Sequence, residues 1–129
     1  MGRNDSRRAT DAELDVLNVL WHRGPCTVRD VHDALIELRD IRYTTTLKTL
    51  QVMTGKGLVQ RDQSNKAHIY EAVVDREETQ RSLVGALVDK VFDGSAAGLV
   101  AGALSAKTAS AEELAKIRKL LDEAERRRT

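Results

Sequence analysis

From Thr10 to Val74 the apolar residues recur three times at helical spacing and then pass into two short strand-like runs, an order that few folds accept. Thr10-Asp11-Ala12-Glu13 fits a capping box, in which the threonine hydroxyl accepts from the Glu13 amide and the glutamate reaches back. Leu14, Leu17, Leu20 and Trp21 follow on one helical stripe, and Arg23-Gly24-Pro25 ends it. Thr27, with Asp30 three residues on, begins a second helix whose stripe is Val28, Val31, Leu35 and Leu38. That helix is expected to end near Leu38-Arg39-Asp40, before a short β-like Ile41-Arg42-Tyr43. A third helix opens at Thr44 or Thr45, buries Leu50 and Met53, and stops at Gly57 in a left-handed cap. Leu58–Asp62 and Ala67–Val74 then read as strands, joined by the polar turn Gln63–Lys66. Helix, helix, helix, hairpin is the order of a winged helix-turn-helix domain.

After Asp75 the pattern changes. A long helix runs from Asp75 to Phe92, acidic at its start, with Leu83, Leu87, Val88 and Val91 on one face and Val84 beside them. Asp93-Gly94-Ser95 breaks it. A helix of small residues carrying Leu99 follows, and Ser110-Ala111-Glu112-Glu113 caps a last one with the stripe Leu114, Ile117, Leu120 and Leu121. Aromatics make up 3% of the chain, and of them only Phe92 lies in this half. Three narrow apolar faces with so little bulk cannot enclose a core alone, so a second copy of the chain is the economical cover. The expected fold class is mainly α with a small β-wing. The expected organisation is a flexible basic N-terminal arm at 1–9 bearing Arg3, Arg7 and Arg8, a winged-helix DNA-binding domain at 10–74, and a three-helix dimerisation region at 75–129.

Composition narrows the function classes. Charged residues reach 32% of the 129, yet they nearly cancel to a formal net charge of +1, so any basic surface must come from local clustering. The single Cys26 excludes an intrachain disulfide. His22, Cys26 and His32 match no structural zinc spacing, so no metal or cofactor is expected, and Cys26 reads as a small half-buried turn residue. No nucleophile–base arrangement, glycine-rich phosphate cradle or carboxylate pair marks an enzyme. No apolar run approaches the roughly 20 residues of a membrane span, and Met1–Asp11 has no secretory apolar region. The expectation is a soluble, cytoplasmic chain.

Glu13–Leu35, Tyr43–Asp62 and Ala67–Gln80 together resemble the penicillinase-repressor (BlaI/MecI-type) family of bacterial transcription factors, most tellingly at Leu20-Trp21, Tyr43-Thr44-Thr45 and Lys56-Gly57-Leu58-Val59. The resemblance extends over nearly the whole chain. It implies a homodimeric repressor on a palindromic double-stranded operator, relieved when a membrane-bound sensor metalloprotease cleaves its C-terminal region. The position corresponding to that cleavage is Gly102-Ala103, a departure from the Asn–Phe pair of the best known members. Copper-responsive relatives carry C-terminal cysteines, and this chain has none after Cys26.

Carried over by position, Thr44, Thr45, Leu47 and Lys48 face DNA, whereas Thr46, Thr49, Leu50 and Met53 face inward. Thr44 is expected to cap the third helix; its neighbours divide between groove contact and packing, with capping alone as the competing reading. Periodicity by itself would bury Leu47 beside Leu50, while the family frame turns it toward the groove. Arg42 before the helix and Arg61, Lys66 and His68 on the wing are candidate phosphate clamps. Val52 stands where many relatives carry arginine. Leu83, Leu87, Val91, Leu99, Leu114, Ile117, Leu120 and Leu121 are the expected dimer contacts. The competing class is a protein-interaction module, which only the near-neutral charge supports.

Overall fold

The computed structural model describes residues 9–64 and 66–128, so Arg3, Arg7 and Arg8 of the expected arm lie outside the described residues. By internal packing the chain divides into one unit ending at Gln80 and a second beginning at Arg81.

The first unit opens with α1 (Asp11–Arg23), closed at its start by the full capping box between Thr10 and Glu13. Glu13 continues inward, only 4% exposed, and its Oε1 receives the Lys56 ammonium at 2.8 Å. One carboxylate thus satisfies the α1 cap and ties α1 to the end of the third helix. Gly24, at φ +82°, ends α1 in a conformation that side chains rarely adopt. β1 (Cys26–Thr27) has no signature in the sequence, because two residues carry no periodicity; their register opposite Tyr70 and Ile69 defines the strand. Cys26 is buried rather than half-buried, and its thiol donates to the Gly24 carbonyl at 3.1 Å.

Thr27 and Asp30 cap α2 (Val28–Leu35) reciprocally, as their spacing predicts. The helix is shorter than expected. Backbone turns follow Leu35, and Leu38 is 64% exposed, off the core that would have extended the stripe to it.

The third helix, α3 (Tyr43–Lys56), also departs from the threonine-capped expectation. Its N-cap is Arg42, which makes no side-chain capping bond, and no strand covers Ile41–Tyr43. The backbone supplies the closure instead: the amides of Thr45 and Thr46 both donate to the Arg42 carbonyl, at 3.0 and 3.2 Å. Thr44 is therefore the second helical residue and not the cap. At the other end Gly57 takes the left-handed cap foreseen for it, φ +82° and ψ +16°.

β2 (Val59–Asp62) and β3 (Ile69–Ala72) form the expected hairpin, and β1 completes a three-stranded antiparallel sheet in the order β1-β3-β2. The core packs Val16, Leu17 and Leu20 of α1 against Val31 and Leu35 of α2 and Leu50 and Met53 of α3. Leu58, Val59 and Tyr70 close it from the sheet side. Val16 was absent from the stripe read off α1; Leu14 and Trp21, which were on it, sit half-buried at its margin. The Trp21 indole N–H donates to the Val74 carbonyl at 3.1 Å and ties the end of α1 to the end of the sheet.

The remaining helices are α4 (Arg76–Val91), within which the boundary between units falls, α5 (Ala96–Ala106) and α6 (Ala111–Arg128). Asp75 accepts from the Glu78 amide at the start of α4, Ser95 from Gly98 at α5, and Ser110 from Glu113 at α6. None of the three helices buries a residue among those described.

Candidate nucleic-acid interface

The outward side of α3 is a ridge between two grooves. On one flank Tyr43, Leu47 and Gln51, one helical turn apart, look across toward the wing; on the other, Thr45, Thr49 and Val52 look toward the start of α1. Thr44, Thr45 and Lys48 are exposed, and Thr46 is fully buried. The adjacent threonines separate because neighbouring helical positions point about 100° apart. Thr46 turns under the helix, where its Oγ1 lies 2.8 Å from His32 Nδ1. Thr49, half-buried, donates its hydroxyl to the Thr45 carbonyl.

Leu47 satisfies neither simple expectation. It is half-buried, outside the core cluster, and lines the groove between α3 and the wing. That groove, of about 400 Å³, brings together Leu47, Arg61, Lys66 and His68 of the predicted set. The opposite groove, of about 380 Å³, brings together Thr44, Thr45 and Lys48. Arg42 is exposed at the α3 N-cap and lines neither.

Arg29, Tyr43 and Gln51 are among the groove residues outside the predicted set. Gln51 lies four residues after Leu47 and was legible from that spacing. Arg29 comes from α2, and only the tertiary fold brings it to α3.

Local charge differs from the whole-chain balance. Between Arg42 and Ala72 the chain carries Arg42, Lys48, Lys56, Arg61 and Lys66 against only Asp62 and Glu71. Lys56 is turned inward to Glu13. Arg29, Arg42, Lys48 and Lys66 have no carboxylate partner among the described residues, while Arg39, in the bend beyond α2, pairs with Asp15. At the wing turn the Ser64 backbone N–H donates to Asp62 at 2.9 Å, which holds that carboxyl below its usual range. Gln63, with its side-chain oxygen toward Arg61, accepts from Nε at 2.8 Å and steadies that guanidinium.

The residues considered for zinc go separate ways. His22 Nδ1 faces the Asn18 carbonyl, Cys26 donates to Gly24 and His32 is bonded to Thr46. No group of metal-ligating side chains converges among the described residues, and no helix there is long and apolar enough to cross a membrane.

In the second unit the predicted contact residues are open to varying degrees. Leu83, Leu99, Leu114 and Ile117 are half-buried; Leu87, Val91, Leu120 and Leu121 are exposed, Leu120 to 62%. Gly102-Ala103 lies inside α5, where a Cβ added at Gly102 would meet the Phe92 ring at 3.0 Å.

Three short helices and a small antiparallel sheet, with the exposed side of the third helix set among cations that no described carboxylate neutralises, make up the arrangement of a winged helix-turn-helix domain. The chain belongs to the penicillinase repressor family, whose model, described as "Penicillinase repressor", matches residues 9–123. It is 36% identical over 121 residues to the transcriptional regulator BlaI of Mycobacterium tuberculosis, in strains CDC 1551 / Oshkosh and ATCC 25618 / H37Rv, over 92% of this chain and 86% of that protein. It is also similar to the methicillin resistance regulatory protein MecI of Mammaliicoccus sciuri, at 21% identity over 119 residues, or 92% of this chain and 97% of that one. These relatives are transcriptional regulators, a non-enzymatic family.

Proposed function

We propose that the chain is a sequence-specific transcriptional repressor that binds a palindromic operator as a homodimer. The carrying observation is the ridge of α3, where Thr44, Thr45 and Lys48 are exposed beside cations that no carboxylate of the described residues neutralises. A ridge of that kind suits the major groove, with hydroxyls and a lysine at base edges and Leu47 near thymine methyls. Arg42 before the helix and Arg61, Lys66 and His68 on the wing are the candidates for the phosphates beside it. The family supports the repressor role.

The dimer reading rests on the second unit. Its helices α4, α5 and α6 enclose no buried residue, and the exposed Leu87, Val91, Leu120 and Leu121 need cover that a second copy supplies. Derepression through a membrane sensor protease is the regulation that family membership suggests. Gly102 and Ala103 are the cleavage region by correspondence, and their helical setting would have to open before a protease could engage them.

The test is selection of duplexes from a random library on the full chain, followed by titration of the enriched and a random duplex across salt. Enrichment of a palindrome, with steeply salt-dependent binding, is expected. A library that returns no preferred sequence would leave the interaction-module reading in place. Lys48→Ala should weaken the enriched duplex more than the random one; equal loss would restrict Lys48 to phosphate.

A further inference from the structure

Arg29 and Tyr43 stand outside the residues assigned to DNA above, yet with His32 and Thr46 they form a stack that leads from the core to the surface. Thr46 is fully buried and hydrogen-bonded to His32, itself 8% exposed. The His32 ring meets the Tyr43 ring edge-on, with centroids 5.3 Å apart and planes at 77°. Over Tyr43, in turn, lies the Arg29 guanidinium, its carbon 4.9 Å from the ring centroid.

A guanidinium stacked on an aromatic face keeps its planar, pre-organised N–H fork open at the edge. No carboxylate among the described residues occupies that fork. The neighbouring Asp30 is committed to the Thr27 amide. Arg29 also lines the groove that Arg61, Lys66 and His68 border from the wing, so cationic groups reach the same groove from two separate elements. Double-stranded DNA presents a phosphate row along each side of its major groove, and cations that converge from two elements on one flank of α3 suit one such row.

We infer that Arg29 is a backbone-phosphate clamp of the DNA complex and that Tyr43, held by His32, is a positioning residue acting through it. The inference rests on the operator reading of α3. Its signature differs from that of a base contact: phosphate binding adds to the salt dependence and is indifferent to sequence.

The experiment uses the full chain and two fluorescent duplexes, one enriched by selection on the wild-type protein and one random, titrated by anisotropy over a range of salt. Arg29→Ala is expected to weaken both duplexes by the same factor and to reduce the slope of log affinity against log salt by about 0.9 per protomer. Arg29→Lys should keep the slope but bind less tightly, because an ammonium offers no fork. Tyr43→Phe should match the wild type, since the ring remains. Tyr43→Leu should weaken binding, and the Arg29→Ala/Tyr43→Leu double variant should be no weaker than Arg29→Ala alone. Far-ultraviolet circular dichroism melts confirm that each variant is folded. An unchanged salt slope for Arg29→Ala on a duplex that the wild type binds would overturn the clamp and leave the operator reading standing. Failure of the wild type to enrich any duplex would overturn the operator reading instead. Additive losses in the double variant would overturn the positioning role of Tyr43.

Discussion

Thr46 illustrates how one side chain decides the meaning of its neighbours. Its hydroxyl is buried against His32 on the side of α3 that also buries Leu50 and Met53, and the helical turn leaves Thr44 and Thr45 outward. Thr46→Val keeps the shape but leaves the His32 nitrogen without its partner, at an expected cost of about 1–3 kcal/mol in chemical denaturation. Cys26 makes a second residue-scale case. Burial pushes its thiol pKa up, the Asp30 carboxylate adds to that, and Arg23 opposes it. The folded state therefore holds the thiol proton to higher pH than the unfolded chain does. The associated stability is whole below the ordinary thiol value and is lost as pH rises through the raised native one. Alkylation of Cys26 by iodoacetamide at pH 8 should accordingly be slow in the folded protein and rapid in denaturant, a contrast that mass spectrometry reads directly.

At the scale of the element, α3 begins without a side-chain cap and ends with a glycine before its C-cap. Gly55 has nothing within 4 Å of where its Cβ would stand, and its φ is ordinary. Gly55→Ala should therefore stabilise the first unit by up to about 1 kcal/mol, seen as a raised melting temperature. The reciprocal boxes of α1 and α2 were legible because a threonine followed three residues on by a carboxylate is a local device, indifferent to the rest of the fold. The start of α3 was not legible in the same way. Three consecutive threonines offer several equivalent caps to a sequence reading, and packing against α2 selected a start that used none of them. The end of α2 is a similar case: the spacing admits Leu38 to the stripe, while the structure leaves it exposed beyond a helix that stops at Leu35.

For the molecule as a whole, apolar surface is left uncovered in the second unit. Leu120, 62% exposed on α6, is a poor choice for a monomer and an apt one for a seam between copies. Leu120→Asp should convert the proposed homodimer to monomer in analytical ultracentrifugation. Operator affinity should then fall by orders of magnitude, because two half-sites would no longer share one effective concentration. A Leu120→Asp protein that sediments as a dimer would remove this stripe from the interface.

Periodicity and turn chemistry by themselves determined the order of helices and hairpin, the caps at Thr10, Thr27 and Gly57, and the helical part of the core at Leu17, Leu20, Val31, Leu35, Leu50 and Met53. Those features depend on residues close in sequence, where spacing alone carries the physics. Only the tertiary structure decided which threonine is buried, that Leu47 lies half-covered in a groove, that Cys26 and Thr27 join the sheet, and that Arg29 reaches the face of Tyr43. Each of these is settled by contact between elements distant along the chain, and a contact of that kind has no period to read.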